Sequence, residues 1–227
     1  MNLKIKDIAQ LLGVSEKKIY RWIQEQKIPA YKINHQYRFN KLEINDWILK
    51  NRLPVSAKIY DLSASASPVR LTQLLSRGRI FYHNAGASIL EAIRQAGEIL
   101  PLPPGTDRKA VIFSLLQRED MMPTAIGRGI AIPHPRNPII ADVEHETISM
   151  FLLQNPVDFE ALDQEAVHTL FIVLSANPQR HLEILTKISF LCQQDDFLSL
   201  LKKRSVAEKI FDYIQQKEMI WLKQDRP

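Results

Sequence analysis

The sequence predicts an α/β fold over residues 69–227, a mixed sheet sandwiched by helices, behind a small separate module at residues 1–53. Three observations carry that expectation. From Leu71 onward, compact apolar runs such as Val167 to Leu174 alternate with amphipathic stretches, the pattern of buried strands interleaved with helices. The stretch from Leu53 to Pro68 breaks this periodicity and is rich in Ser, Ala and Pro, so residues 54–68 read as a linker. The charge is divided as well. Of 30 Lys and Arg and 25 Asp and Glu, residues 1–53 hold 11 and five, a net +6 against −1 for the remainder. A basic module joined to a nearly neutral one predicts an anionic partner, most simply nucleic acid, for the first part alone.

In the N-terminal module Ile5, Ile8, Ala9 and Leu12 fall at i, i+3, i+4 and i+7, the apolar stripe of a short helix. Gly13-Val14-Ser15 predicts a tight turn, with Gly13 stopping that helix and Ser15 capping the next. On the second helix Ile19, Trp22 and Ile23 share the inner face, and Pro29 is expected to end the element. Tyr31, Ile33, Tyr37 and Phe39 alternate around Asn34-His35-Gln36 as a hairpin. Asn40 with Glu43 suggests a capping box opening a third helix, with Ile44, Trp47 and Ile48 inside. Both tryptophans lie on apolar faces and read as core. Lys17, Lys18, Tyr20 and Arg21 are left outside on the second helix, and Lys32 and Arg38 add charge on the hairpin.

Two helices joined by a glycine turn and followed by a hairpin wing make a DNA-reading platform whose second helix fits the major groove. The run Ile8-Ala9-x-Leu11-Leu12-Gly13-Val14-Ser15, with Ile19-Tyr20-Arg21-Trp22, Ile28-Pro29-Ala30 and Arg38-Phe39, resembles the excisionase and MerR-like helix-turn-helix family over about 50 residues. The wing tip departs from that family, which often turns on glycines there. The alternative for this module is a domain that docks protein or RNA.

In the second part, Ala87 to Ile99 and Asp107 to Gln117 read as helices. Thr124 to Ile132 is strand-like, and Thr147 to Leu153 and Val167 to Leu174 read as buried strands. Gln179 to Cys192, Phe197 to Leu201 and Val206 to Ile214 read as amphipathic helices, with Asp195 and Asp196 as a helix cap. The sharpest site follows the glycine-containing run, at Pro133-His134. Proline fixes φ and removes a donor, so His134 is expected at a rigid, exposed sheet end. A neutral imidazole there can attack phosphorus with one nitrogen while a hydrogen bond orients the other. A phosphohistidine needs cationic or donor neighbours. Arg118, at a helix end, can supply a guanidinium clamp. His181 follows Asn177-Pro178, which reads as the N-cap and first residue of a helix, where backbone N–H groups favour anions.

Arg118-Glu119, Thr124-x-Ile126-Gly127-x-Gly129-Ile130-Ala131-Ile132-Pro133-His134 and His181-Leu182-x-x-Leu185 resemble enzyme IIA domains of the phosphotransferase system, of the fructose, mannitol and nitrogen-regulatory type. That resemblance implies an enzyme IIA α/β sandwich in which His134 accepts phosphate from the phosphohistidine of an HPr-like carrier. It implies supporting roles for His181, Arg118 and Thr124. The residue after the reactive histidine is usually Gly or Ala in this family, whereas Pro135 and then Arg136 stand here. Proline removes an N–H that could contact the phosphate, and Arg136 adds a charge.

No cofactor is expected. His83, His145 and His168 lack partner spacing and read as surface or satisfied interior, and His134 with His181 completes no set of three metal ligands. Gly127-x-Gly129 lacks the third glycine and following helix of a nucleotide loop. The single cysteine, Cys192, excludes an internal disulfide, and apolar runs of about five residues exclude a membrane span. The N-terminus lacks the apolar stretch of a signal peptide, so a cytoplasmic protein is expected. Together these readings predict a transcriptional regulator, with DNA and an HPr-like carrier as partners and a homodimer reading palindromic half-sites. The alternatives are a phosphocarrier for sugar uptake and an anion- or protein-sensing regulator that is not phosphorylated, which Pro135 favours.

Overall fold

Local sequence rules account for most of the N-terminal module. The computed structural model describes residues 2–33, 36–40, 43–44, 47–48, 51, 68–83 and 88–224. The wing tip at 34–35, the linker at 54–67 and the expected helix start at Ala87 lie outside the described residues. Helix α1 (Ile5–Leu11) opens with the Asp7 carboxylate accepting the Lys4 N–H at 2.8 Å. Gly13, at φ 62, turns the chain, and Ser15 caps α2 (Glu16–Gln24). The helix ends at Gln24, well before Pro29. Its stop is a Schellman motif with Gln26 in the left-handed region at φ 52. The Gln26 N–H donates to the Ile23 carbonyl at 3.1 Å and the Lys27 N–H to the Trp22 carbonyl at 2.9 Å.

Strands β1 (Asn2–Leu3), β2 (Tyr31–Ile33) and β3 (Gln36–Asn40) form an antiparallel sheet in the order β1-β3-β2. Gln36 pairs with Ile33 and belongs to the strand rather than to the turn. Ile8, Ile19, Phe39 and Ile44 are fully buried together. The half-buried Trp22 and Trp47 rings meet edge to face at 5.5 Å, and the Trp47 indole donates to the Lys27 carbonyl.

The second domain is a five-stranded mixed sheet in the order β4-β7-β8-β6-β5. Its strands are β4 (Ile80–His83), β5 (Ala125–Gly127), β6 (Ile130–Ala131), β7 (Thr147–Val157) and β8 (Val167–Leu174). β7 and β8 run antiparallel, while β4 lies parallel to β7 and β6 parallel to β8. All eight residues of β8 are buried, and they alternate between two cores. Phe171 and Val173 join α3 (Leu71–Gly78), α6 (Pro178–Leu191), α7 (Asp195–Lys202) and α8 (Ala207–Gln224). Leu170, Ile172 and Leu174 join α4 (Ile89–Ile99) and α5 (Arg108–Met121). The expected sandwich of a mixed sheet between helices is therefore present.

Several boundaries differ from expectation. Ser88 caps α4, Asp107 caps α5, and α5 runs past Gln117 so that Arg118 and Glu119 sit in its last turn. Asp195 and Asp196 occupy the first turn of α7 behind the N-cap residue Gln194, and α8 extends ten residues beyond Ile214. Thr124 to Ile132 is a hairpin and not a single strand, because β5 and β6 pair antiparallel. Its turn runs through three consecutive residues of positive φ, Gly127, Arg128 and Gly129, at 81, 57 and 73. Gly129 also has no room for a side chain, since a Cβ would come within 2.3 Å of the His168 ring.

His168 gives a pH test. Burial holds its imidazole below its ordinary value of 6.5, and Nδ1 lies 2.9 Å from the Thr169 hydroxyl. The unfolded chain takes up this proton near 6.5, the folded chain only at lower pH. The contribution is complete above about 6.5 and is lost as pH falls through the folded value. The urea midpoint should therefore drop on acidification from pH 7 to 5, and drop less in His168→Gln.

The chain enters this domain through buried ionic contacts. Glu183 on α6 accepts the Val69 N–H at 2.9 Å, and the Lys187 ammonium bridges Glu183 at 2.9 Å and the Val69 carbonyl at 2.5 Å. Glu218 on α8 accepts the Leu71 N–H and, at 3.3 Å, the Thr72 N–H, satisfying first-turn donors of α3.

Candidate functional site

The β5–β6 hairpin delivers the chain to Ile132-Pro133-His134, and the Ile132 N–H donates back to the Thr124 carbonyl at 3.1 Å. His134 is only 4% exposed, not the exposed sheet-end residue the sequence suggested, because its ring turns back onto the Ile132 carbonyl and packs against His181. Its Nδ1 lies 2.7 Å from the Ile132 carbonyl oxygen. A carbonyl only accepts, so Nδ1 carries the proton and Nε2 is the unprotonated nitrogen of the neutral ring. That arrangement fixes both tautomer and ring orientation, the two requirements for a histidine nucleophile.

Asn177 and Pro178 open α6 as the sequence predicts. The Asn177 side chain accepts the N–H groups of Gln179 at 3.1 Å and Arg180 at 3.0 Å. The first turn thus places His181 beside His134, with ring centroids 4.8 Å apart and planes tilted by 54°. The Ser175 hydroxyl lies 3.0 Å from His181 Nδ1. Arg180 points into the protein, where its Nε donates to Glu146 at 2.6 Å. The other Glu146 oxygen accepts the Ala176 N–H at 3.0 Å, so one buried carboxylate fastens the loop and helix that carry Ser175 and His181.

At the end of α5, Arg118 is buried and donates to the Met122 carbonyl at 2.7 Å. Glu119 accepts the Thr124 N–H at 2.8 Å and the Thr124 hydroxyl at 2.6 Å. Burial raises the Glu119 carboxyl above its ordinary value, opposed by the Thr124 bonds and by the charges of Arg118 and His134. The structure thus gathers Arg118, Thr124, His134 and His181, and adds Glu119 and Ser175, for which the sequence suggested no role. Among the described residues no group of three or more His, Cys, Asp or Glu could hold a metal. Cys192 is buried in the core and burial raises its thiol, which leaves it unreactive.

These features match known proteins. Residues 73–217 match the family described as "Phosphoenolpyruvate-dependent sugar phosphotransferase system, EIIA 2". The chain belongs to this EIIA 2 family. A curated relative, the "Nitrogen regulatory protein" of Pseudomonas aeruginosa, is 30% identical over 149 residues, 64% of this chain and 95% of that one. The "Mannitol-specific phosphotransferase enzyme IIA component" of Geobacillus stearothermophilus is 29% identical over 143 residues, 63% of this chain and 96% of that one. Among solved structures, nitrogen regulatory protein IIA-Ntr from Neisseria meningitidis superposes with a TM-score of 0.54. It is 26% identical and covers 63% of this chain and 97% of its own. Residues 3–52, ahead of the EIIA domain, match a helix-turn-helix domain family.

In that helix-turn-helix domain Lys17, Lys18, Tyr20 and Arg21 are exposed on α2, and Lys32 is exposed on β2. Tyr20 meets Tyr37 edge to face at 6.2 Å, which ties the helix to the wing. Arg38 is half-buried and donates to Gln36 at 2.6 Å and to the Tyr37 carbonyl at 3.1 Å. Arg21 lies 3.8 Å from Glu25, an exposed pair that costs little to release. No helix among the described residues is long and apolar enough to cross a membrane.

Proposed function

We propose that the chain is a phosphotransferase-linked regulator. His134 accepts a phosphoryl group from an HPr-like phosphocarrier, and its state modulates transcription through the helix-turn-helix domain. The observation that carries this reading is the 2.7 Å bond from His134 Nδ1 to the Ile132 carbonyl, which leaves Nε2 as the nucleophile beside His181. In the transfer, the P–N bond to the donor imidazole breaks as the Nε2–P bond forms, and the donor nitrogen leaves with the electron pair. Little covalent chemistry is asked of the protein. Its task is in-line positioning and stabilisation of the charge on the three phosphoryl oxygens.

His181 suits that task. In the tautomer whose Nδ1 accepts from the Ser175 hydroxyl, the ring carries its proton on Nε2 and can donate to a phosphoryl oxygen. Arg118 and Arg136 supply positive charge near the group, and Thr124 with Glu119 holds the turn on which Arg118 sits. The exposed cations Lys17, Lys18, Arg21 and Lys32, with Tyr20 and Arg38, form the DNA-facing set, and a homodimer would present two such sets to palindromic half-sites.

A second reading, a phosphocarrier for sugar uptake, is favoured by the near-equal identity to the mannitol-specific relative. The two are separated by DNA binding. Duplexes enriched from a random pool by the unmodified chain should bind with log K falling against log salt by about 0.9 per phosphate contacted. Affinity should differ between unmodified and phosphorylated chain. Equal affinities, with onward transfer of the phosphoryl group to a sugar-specific component, would favour the carrier.

A further inference from the structure

We propose that the helix-turn-helix domain is a removable cover seated on the phosphoacceptor site, so that its docking on α6 and the loading of His134 exclude one another. The inference rests on reading His134 as the phosphoacceptor. Three residues that border the site meet the N-terminal domain. Leu182, next to His181, is 3% exposed and belongs to the apolar cluster of Ile8, Ile28, Phe39 and Ile44 rather than to either core of the EIIA sheet. Met122, whose carbonyl accepts the Arg118 guanidinium, lines a cleft of about 500 Å³ with Ile28, Pro29, Glu43 and Trp47. Arg136, two residues past His134, lies close enough to act electrostatically on the Tyr31 phenol, whose hydroxyl donates to Glu43 at 2.7–2.8 Å.

The consequence is steric. His134 and His181 are 4% and 5% exposed, whereas a protein-borne phosphohistidine must bring its phosphorus to about 3 Å from Nε2. The cover must lift for transfer to occur. The lifted domain stays tethered through the linker. Val69, just past the linker, is fastened to Glu183 and Lys187 on the same helix as Leu182, which keeps the released domain at high local concentration.

Charge sets the direction. A phosphoryl group adds about −1.5 to −2 beside Arg136. It draws the Arg136 guanidinium away from the Tyr31 phenol and repels the Glu43 carboxylate that accepts from that phenol. Loading therefore disfavours redocking. Lys17, Lys18, Tyr20 and Arg21 remain exposed in the docked form, so the cover leaves the recognition helix open.

The test is the rate at which diethyl pyrocarbonate acylates His134 in the full chain, read by peptide mass, for wild type, Leu182→Asp and Met122→Asp. Met122 is partly exposed, so its substitution is tolerated even if Leu182→Asp perturbs the fold. A cover closed nine-tenths of the time lowers reactivity about tenfold, so both variants should react about tenfold faster. Phosphate uptake from a phosphorylated HPr-like carrier should rise in parallel. Equal acylation rates in all three proteins would overturn the proposal. Faster acylation with no phosphate uptake by any of them would support the cover and overturn the phosphoacceptor reading instead.

Discussion

His181→Ala slows phosphorylation of His134 by about 10²–10³-fold while leaving the fold intact, the loss expected when one preorganised donor to a charged transition state is removed. The argument is geometric. The ring lies 4.8 Å from that of His134, and its Nδ1 is engaged by Ser175 at 3.0 Å. Alanine removes the donor without touching the His134–Ile132 bond that sets the nucleophile's tautomer. Ser175→Ala should slow transfer less, because Ser175 acts only by orienting His181. Single-turnover transfer from a phosphorylated carrier measures both. Equal rates for wild type and His181→Ala would remove His181 from the mechanism.

Glu146→Ala lowers stability by about 3–5 kcal/mol, the cost of removing one member of a buried ion pair. Glu146 is wholly inaccessible and Arg180 nearly so, and they meet at 2.6 Å. The same carboxylate holds the Ala176 N–H, so its loss also releases the loop before α6. Urea unfolding reads the change. Glu146→Ala combined with Arg180→Met should recover much of the loss, since the buried guanidinium is then gone. A single-variant loss below about 1 kcal/mol would mean that water or another group takes over the guanidinium.

Those two residues also show where sequence reasoning reaches and where it stops. His134 was legible because Pro133 follows a glycine-containing run, and His181 because Asn177-Pro178 marks a helix start. Both depend on signals within a few residues. Glu146 and Arg180 meet only through the tertiary fold, as do Glu183 and Lys187 with Val69. On helices such charges read as solvated faces, yet Arg180, Glu183, Lys187 and Glu218 are buried. Glu119 was visible as a neighbour of Arg118, but its grip on Thr124 depends on where α5 ends.

The strand-like reading of Thr124 to Ile132 failed for a related reason. Arginine gives no local signal for positive φ, and the Arg128 turn is held by an N–H bond to Asp163 at 2.7 Å and a side-chain contact to Asp195, both distant in sequence. Likewise the stop of α2 uses Gln26 where glycine would have announced it. Strand β4 is four residues long at the sheet edge, too short for its alternation to stand out. The alternation of apolar strands and amphipathic helices was enough for the architecture, because burying each element's apolar face leaves few layer arrangements.

The most direct test of the account is phosphate uptake at one atom. The chain is incubated with enzyme I, an HPr-like carrier and phosphoenolpyruvate, and intact mass is recorded for wild type and His134→Ala. The account predicts one acid-labile phosphate on the wild type and none on the variant. An unmodified wild type with an active carrier, or a phosphate that persists in His134→Ala, would contradict it.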